Sequence, residues 1–186
     1  MDVKGISFLT RMEQITKDAG EDAWNRFHLD LVKRDPFFER TILATTLIPI
    51  EKYLDFSDAA VDAFAGGDKN TYWKVGENAA LWALQNGPYR AILLNKDARS
   101  FVERSLPRLW TTHFTDGAIQ MRFAEELIEV EIHDLPVHHC VFEFLVMGYI
   151  KKALELFGLK SVVTERLKGW DSPDGEIHYR FRFAKQ

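Results

Sequence analysis

The stretch VHHCVFEFLVMGYIKKALELFG, residues Val137–Gly158, decides the fold of this chain. Almost every position from 141 to 150 is apolar, so a helix in this stretch would be buried on more than one face. The apolar run lasts about ten residues before Lys151, whereas a helix that spans a bilayer needs roughly twenty. The stretch therefore predicts the central helix of a water-soluble core rather than a membrane span.

Three residues are expected to shape the predicted helices. Gly148 has no side chain and lets a neighbouring backbone approach the central helix. Gly158 supplies the left-handed residue that commonly ends a helix. Pro107 lies inside a predicted helix over residues 97–114, where it removes one backbone hydrogen bond and is expected to kink the helix.

The chain up to about residue 116 has the 3.6-residue apolar period of helices. About six helical segments are predicted from this period and its breaks. The breaks are Gly20, Asp35-Pro36, Thr45–Pro49, Gly66-Gly67 and Asn86-Gly87-Pro88. The third segment is expected to be a short helix over residues 37–43.

Two β-hairpins flank the central helix in the predicted order. After Asp116-Gly117 the apolar period changes to 2, over residues 119–123 and again over 128–132. Two more strands are predicted after the helix, near residues 163–167 and 177–183. This order predicts an α+β fold in which a four-stranded antiparallel sheet packs on the central helix. We expect a single domain over residues 1–186, with a helical half at 1–116 and a sheet half at 117–186.

The composition excludes several classes of protein. The chain of 186 residues is long enough to bury a core, and its net charge of −4 gives no basic stripe for nucleic acid. Cys140 is the only cysteine, which excludes an internal disulfide and suits a reducing compartment. The first residues mix charges among apolar positions and lack the apolar core of a signal peptide. We expect a cytoplasmic protein with no nucleic-acid partner.

Four side chains that can bind metals are close together in the sequence, at His133, His138, His139 and Cys140. Imidazole and thiolate groups bind zinc, but this spacing matches no standard zinc pattern. Adjacent His138 and His139 lie about 100° apart on a helix and cannot face one metal without an irregular first turn. We therefore expect a buried structural cysteine, surface or capping histidines, and no metal.

Aromatic residues on four predicted helices form the candidate ligand site, at Tyr53, Trp82, Trp110 and Tyr149. In one interpretation they line an apolar pocket between the helical half and the central helix, and in the other they fill the core. His113 is included because it ends the helix that carries Trp110, where the helix C-terminus favours a charged imidazole. The sequence shows no partner for His113 as a haem ligand or general base.

Catalytic motifs are missing from the sequence. It has no Gly-rich phosphate loop, nucleophile elbow or paired-carboxylate constellation, so we expect that the protein is not an enzyme. The charged residues of the predicted strands are expected to share the solvent-facing side of the sheet, where opposite charges pair across strands. They are Arg122, Glu129, Glu131, Arg166, Arg180 and Arg182.

Several segments spread over most of the chain carry a resemblance to a known family. They are Lys4-Gly5 with Phe8-Leu9, Leu47–Leu54, Gly66–Asp68, Leu106–Trp110 leading to Asp116-Gly117, and Gly148–Gly158. In this order they resemble an uncharacterised bacterial family that occurs as a set of paralogues in myxobacteria. Each of these motifs is structural rather than chemical, so the resemblance assigns no catalytic residue.

The C-terminal half is more distantly similar to a fold shared by three kinds of domain. These are vinyl-reductase-type domains, haem nitric-oxide-binding domains and the small subunits of the TRAPP vesicle-tethering complex. The region of the last hairpin, Thr164–Arg180, lacks the cysteine cluster that vinyl-reductase-type domains often carry. The Tyr-x-Ser-x-Arg signature that haem domains of this superfamily use for the propionates is also missing. We therefore expect no cofactor, whether haem, iron–sulfur cluster or stoichiometric zinc.

Two functions are implied by these resemblances. The likeness to vinyl-reductase-type domains implies a non-catalytic cytoplasmic bacterial domain that binds a small apolar ligand and reports it in signalling. The likeness to the vesicle-tether subunits implies a module for protein interaction or homodimerisation that needs no ligand. A large aromatic cavity would favour the first function, and an exposed apolar patch on a solid core would favour the second.

Overall fold

A computed structural model of the protein describes residues 1–87 and 89–184. The chain divides into two compact units, one made of Met1–Lys69 with Thr112–Thr115 and the other of Asn70–Thr111 with Asp116–Gln186. Pro88, which was expected to help end a helix, lies outside the described residues. None of the helices in the described part of the chain is long and apolar enough to cross a membrane.

The first unit is mainly helical. Its elements are strand β1 (Asp2–Lys4), helix α1 (Gly5–Ala19), helix α2 (Glu21–Arg34), a 3-10 turn (Pro36–Glu39), strand β2 (Leu47–Pro49) and helix α3 (Ile50–Ala65). Strands β1 and β2 pair antiparallel with Val3 opposite Ile48, in a small sheet that the sequence did not predict. The Phe8 ring lies 4.7 Å from the Phe56 ring and 5.6 Å from the Phe38 ring. Aromatic packing between α1, α3 and the 3-10 turn therefore builds the core of this unit.

The short helix predicted over residues 37–43 is wrong, because only the turn Pro36–Glu39 is helical in that region. The Asp35 carboxylate accepts a hydrogen bond from the Phe37 N–H at 2.9 Å and caps the start of the turn. The backbone is extended again at Arg40. Because the chain leaves the turn in an extended conformation at Arg40, the helix does not continue through residues 41–43.

The second unit combines helices with a sheet. Its helices are α4 (Thr71–Leu81), α5 (Arg90–Leu94), α6 (Ala98–Ser100), α7 (Leu106–His113, the last two residues of which belong to the first unit) and α8 (Cys140–Leu156). Its strands are β3 (Ala118–Phe123), β4 (Leu127–His133), β5 (Lys160–Lys168) and β6 (Ile177–Ala184). They form one antiparallel sheet in the order β3-β4-β6-β5. The predicted α+β fold, with four antiparallel strands and a long helix, is confirmed.

The helix predicted over residues 97–114 is confirmed over residues 98–113, with a π-helical turn inside it. Helix α6 passes into a π-helical turn at Phe101–Ser105, and α7 then begins at Leu106. The Leu106 N–H donates to the carbonyl oxygen of Phe101, five residues back. Pro107 lies just after this π-helical turn, where its missing N–H removes one bond of the helical ladder, and the kink expected there stays a prediction. A second π-helical turn, Trp82–Asn86, extends α4.

Helices α4 and α8 cross at two glycines. A Cβ atom on Gly76 would lie 2.0 Å from the carbonyl oxygen of Leu145, and one on Gly148 would lie 2.2 Å from that of Trp73. The two backbones can come this close only because neither glycine carries a side chain. The predicted close approach at Gly148 is confirmed.

The central helix α8 begins at Cys140, later than the predicted start at Val137. The backbone of His139 is extended, and its Nδ1 accepts a hydrogen bond from the Val141 N–H at 3.2 Å. This bond caps the helix, as was expected for one of the neighbouring histidines. Beyond the other end Gly158 has a φ of +94°, which confirms its predicted positive φ.

Candidate functional site

Helices α2 and α3 of the first unit form a groove with a volume of about 550 Å³, which we call the α2–α3 groove. Its walls are Ala23, Arg26, Phe27, Asp30, Leu31 and Arg34 from α2, and Ala59, Asp62, Ala63 and Phe64 from α3. The α2 residues recur at spacings of three and four, which places them on one face of the helix. The groove exists because α3 contributes two alanines, whose methyl groups leave the space between the helices unfilled.

The floor of the α2–α3 groove is apolar and partly aromatic. The Phe27 ring lies 5.3 Å from the Phe64 ring, edge-on, and 6.2 Å from the Phe56 ring. Leu31 and Ala59 are buried. The groove therefore offers apolar contact to a ligand, and its walls contain no Ser, Thr, Cys, Lys or His side chain.

The rim of the α2–α3 groove carries charges of both signs. Asp30 accepts a hydrogen bond from Lys33 Nζ at 2.8 Å, and this bond and the Lys33 charge hold the pKa of Asp30 below its usual range. Arg34 lies in the last turn of α2, where the helix dipole favours a cation. Arg26 and Asp62 are exposed, and within the described residues neither side chain has an ion pair or hydrogen bond.

Two of the five predicted ligand-binding residues, Tyr53 and His113, lie in the first unit, outside the walls of the α2–α3 groove. Tyr53 is buried with its ring 6.0 Å from that of Phe56, and burial raises the pKa of its hydroxyl. His113 Nδ1 is hydrogen-bonded to the Ser7 hydroxyl at 2.8 Å. Burial, and then the positive charge of Lys4, lower the pKa of His113 to about 4. The prediction of a charged imidazole is wrong, because the loss of water outweighs the helix dipole.

The other three predicted residues, Trp82, Trp110 and Tyr149, lie in the second unit. Trp82 begins the π-helical turn that extends α4. Trp110 is buried, and its Nε1–H donates to the carbonyl oxygen of Gly117 at 3.1 Å. The Tyr149 hydroxyl is buried without a hydrogen-bond partner in the described part of the chain, and burial followed by the nearby Tyr89 raises its pKa. Because the five residues are divided between two units, their role as one ligand site stays a prediction.

Glu143 is a fully buried carboxylate in the first turn of α8. Arg166 Nε and Nη2 donate to its two oxygens at 2.6 and 3.0 Å. The Trp170 N–H donates to Oε2 at 2.7 Å, and the Tyr179 hydroxyl donates to Oε1. These donors neutralise the carboxylate and join α8 to strands β5 and β6, so the cluster has a structural role.

The prediction that Arg166 belongs to the solvent-facing side of the sheet is wrong. Arg166 lies opposite Tyr179 in the sheet register, and both side chains reach Glu143 on α8. The register shifts between Arg166 and Lys168, and a Cβ on Gly169 would lie 1.5 Å from Arg166 Nη2. One feature of the sequence indicated this cluster. Glu143 is a lone acidic residue inside an apolar run, and a buried carboxylate needs a counter-ion.

The outer face of the sheet carries the predicted cross-strand charge pairs. Arg180 Nε donates to Glu129 at 2.9 Å, and the two residues are directly opposite in the register of β4 and β6. Arg182 lies 3.5 Å from Glu165 of β5. The predicted pairing of opposite charges across strands is confirmed for Glu129 and Arg180.

The four candidates for metal binding have separate surroundings. His133 Nδ1 is bonded to the Asp134 carboxylate at 2.7 Å, and His139 caps α8. His138 is exposed and Cys140 is buried. In the described ranges, no three His, Cys, Asp or Glu side chains are grouped so that they could hold a metal ion.

No protein-family model matches the chain, and no curated protein matches it by sequence. Solved structures match its fold. A mutant H-NOX protein from S. oneidensis in the Fe(II) ligation state is 10% identical, with a TM-score of 0.71 over 98% of this chain and 97% of that chain. An Fe(II) unliganded H-NOX protein from K. algicida is 10% identical, with a TM-score of 0.68 over the same shares. An oxygen-binding H-NOX domain related to soluble guanylate cyclases is 16% identical, with a TM-score of 0.67 over 98% and 95%.

At these identities the likeness shows the fold alone. It agrees with the distant similarity to haem nitric-oxide-binding domains that the C-terminal half suggested, and it extends over nearly the whole chain. The resemblances to myxobacterial paralogues, vinyl-reductase-type domains and vesicle-tether subunits stay predictions.

Proposed function

We propose that the chain is a non-catalytic, cytoplasmic bacterial domain that binds a small apolar ligand in the α2–α3 groove and reports it in signalling. The proposal rests mainly on the groove itself, which has a volume of about 550 Å³, a largely apolar floor and charged side chains at its rim. The fold adds support, because one H-NOX neighbour is an oxygen-binding domain and another was studied for haem distortion. The name of the first neighbour describes binding of oxygen, and neither name describes a reaction.

Haem is the ligand that these neighbours imply, and the side chains of this chain do not fit it. Haem iron needs a donor such as imidazole, thiolate, thioether or phenolate, and the α2–α3 groove has none on its walls. His113 has the neutral imidazole that coordination requires, but it lies outside the walls of the α2–α3 groove, and the propionate-binding signature is missing from the sequence. The proposed ligand is therefore a molecule other than haem.

The size and polarity of the groove suit a small organic ligand. Ligand pockets commonly have volumes of about 300–1,000 Å³ and mostly apolar walls with a few polar groups. Contact with Phe27, Leu31 and Phe64 would remove apolar surface from water, at about 25 cal/mol per Å². Because the walls come from two helices, a bound ligand would favour the arrangement of α2 and α3 that fits it best, and this preference can carry a signal.

Thermal unfolding in the presence of a panel of apolar metabolites tests the proposal. A ligand at a hundredfold excess over its dissociation constant stabilises the folded protein by about 2.7 kcal/mol and raises its Tm. Ala63→Phe fills the groove from an exposed wall position and should abolish the shift. Ala91→Phe, at an exposed position of α5 in the second unit, is the matched control and should keep it. No shift with any compound, or a shift that survives Ala63→Phe, would contradict binding in the groove.

A protein-interaction module is the second candidate, and strand β5 favours it. Val163 and Leu167 on this strand are 61% and 39% exposed, and β5 lies at an edge of the sheet. An exposed edge strand with apolar side chains can pair with another chain. Native mass spectrometry separates the two functions, because a homodimer that Val163→Lys disperses supports the module and a ligand-bearing monomer supports the sensor.

A further inference from the structure

The rim of the α2–α3 groove includes a cation that the fold does not use. Arg26 is exposed on α2, and within the described residues nothing forms an ion pair or hydrogen bond with its guanidinium. It immediately precedes Phe27, whose ring forms part of the groove floor. A guanidinium beside an apolar floor supplies both parts of a site for an amphipathic anion.

The other charges of the rim are compensated or lie elsewhere in the groove. Asp30 is paired with Lys33 at 2.8 Å, and the charge of Arg34 also acts on it. Asp62 belongs to α3, on the opposite wall from Arg26. Because Lys33 pairs with the Asp30 carboxylate and Arg34 also acts on it, the guanidinium left for an anionic group is that of Arg26, near the start of α2.

We propose that the α2–α3 groove takes a carboxylic acid with an apolar tail, its carboxylate on Arg26 and its tail over Phe27, Leu31 and Phe64. The planar guanidinium of arginine matches a carboxylate with two parallel hydrogen bonds. The wall from Ala23 to Arg34 runs about 16 Å along α2, at roughly 1.5 Å per residue, which accommodates an extended tail. This inference rests on the proposed function and names the class of its ligand.

Isothermal titration with a matched set of probes tests the inference. The probes are a medium-chain aliphatic carboxylic acid and the alcohol and amine of the same chain length. The acid should bind the wild-type protein about tenfold more tightly than the alcohol, because only the acid makes a charge-assisted pair. Arg26→Gln should weaken the acid about tenfold and leave the alcohol unchanged.

Two further variants complete the experiment. Arg90→Gln replaces an exposed arginine of α5 in the second unit, and it is the matched control that should leave all affinities unchanged. Asp62→Asn removes the carboxylate of the opposite wall and should not weaken the acid. Circular dichroism of each variant verifies that its fold is intact.

The outcomes separate this inference from the proposed function. Equal binding of acid and alcohol, or an acid preference that survives Arg26→Gln, overturns the carboxylate assignment and leaves the apolar groove as a ligand site. Tighter binding of the amine, lost in Asp62→Asn, overturns it in favour of a cationic ligand. If none of the three probes binds the folded wild-type protein, both this inference and binding of apolar chains in the groove are overturned.

Discussion

The guanidinium of Arg166 holds both carboxylate oxygens of Glu143, at 2.6 and 3.0 Å, although Glu143 is fully buried and the Arg166 side chain is 43% exposed. The Tyr179 hydroxyl and the Trp170 N–H bind the same carboxylate from the last hairpin. An ionised carboxylate without such partners costs several kcal/mol to bury. The pair therefore fixes how the hairpin of β5 and β6 packs against α8.

Removing the arginine should destabilise the protein more than neutralising the acid. Arg166→Ala leaves a buried charge with incomplete compensation, and it should lower the free energy of unfolding by about 3–5 kcal/mol. Glu143→Gln leaves a neutral amide that still accepts a hydrogen bond from the Tyr179 hydroxyl, while Arg166 turns to solvent. This change should lower the free energy of unfolding by about 1–3 kcal/mol. Urea unfolding of both variants measures the difference.

Arg180 provides the matched control for this prediction on the outer face of the sheet. It pairs with Glu129 at 2.9 Å, and both side chains are partly exposed. Arg180→Ala should therefore cost about 0–1 kcal/mol. Equal losses in the free energy of unfolding for Arg166→Ala and Arg180→Ala would contradict the prediction. They would show that water stabilises the charge of Glu143 as well as it stabilises the charge of Glu129.

The crossing of α4 and α8 predicts a large effect from a single methyl group. Gly76→Ala would place a Cβ 2.0 Å from the Leu145 carbonyl oxygen, so the two helices must separate. We expect a loss of about 3 kcal/mol or more in the free energy of unfolding. Gly66→Ala is the control, because no atom lies within 4 Å of the added Cβ. This variant should lose only about 1 kcal/mol, from the backbone strain of an alanine at a φ of +61°. Similar denaturant midpoints for the two variants would be incompatible with the close crossing.

The buried imidazole of His113 predicts a loss of stability in mild acid. Its pKa is about 4 in the folded protein, against 6.5 for an ordinary histidine, so in this range the unfolded chain binds a proton that the folded protein does not. The stability that this group contributes is present above pH 6.5 and is lost as the pH falls towards 4. His113→Gln keeps a hydrogen-bonding group for Ser7 but does not titrate.

The free energy of unfolding of His113→Gln should therefore fall less steeply than that of the wild-type protein between pH 6.5 and 4. Chemical denaturation at several pH values measures both curves, and the carboxylates common to the two proteins cancel in the difference. Parallel curves for the wild type and His113→Gln would contradict a neutral, buried imidazole.

The donor chemistry of the chain predicts that it does not bind haem or zinc stoichiometrically. Titration of the purified protein with haemin should give no saturable change in the Soret band, and elemental analysis should find no full equivalent of iron or zinc. A full equivalent that is lost on His113→Ala, or on Cys140→Ala, would contradict this prediction and identify the ligand.

The strands were predictable because an apolar period of 2 fits a β-strand, and the central helix was predictable because its apolar run is longer than a typical strand. In β6, Ile177, Tyr179 and Phe181 are buried and alternate with the partly exposed His178 and Arg180. The helix predicted over residues 37–43 failed because seven residues are only about two helical turns, too short for the apolar period to identify a helix. There the hydrogen bond from the Phe37 N–H to the Asp35 carboxylate stabilises a 3-10 turn instead.

The candidate site was less predictable because it depends on residues that are distant in sequence. The α2–α3 groove forms where Ala59 and Ala63 oppose Phe27, and the period of a single helix does not say which helix it faces. Glu143 similarly depends on Arg166, which lies opposite the buried Tyr179 in the sheet and reaches the helix from there. Pairings of this kind become visible only once the elements are assembled.

The most direct test of ligand binding is a two-dimensional NMR titration of the isotope-labelled protein with a medium-chain aliphatic carboxylic acid. The amide shift changes should be saturable and should cluster in residues 23–34 and 59–64, the two walls of the α2–α3 groove. Ala63→Phe should abolish them. Saturable changes centred on α8 and the rest of the second unit, or no saturable change at all, would contradict the α2–α3 groove as the ligand site.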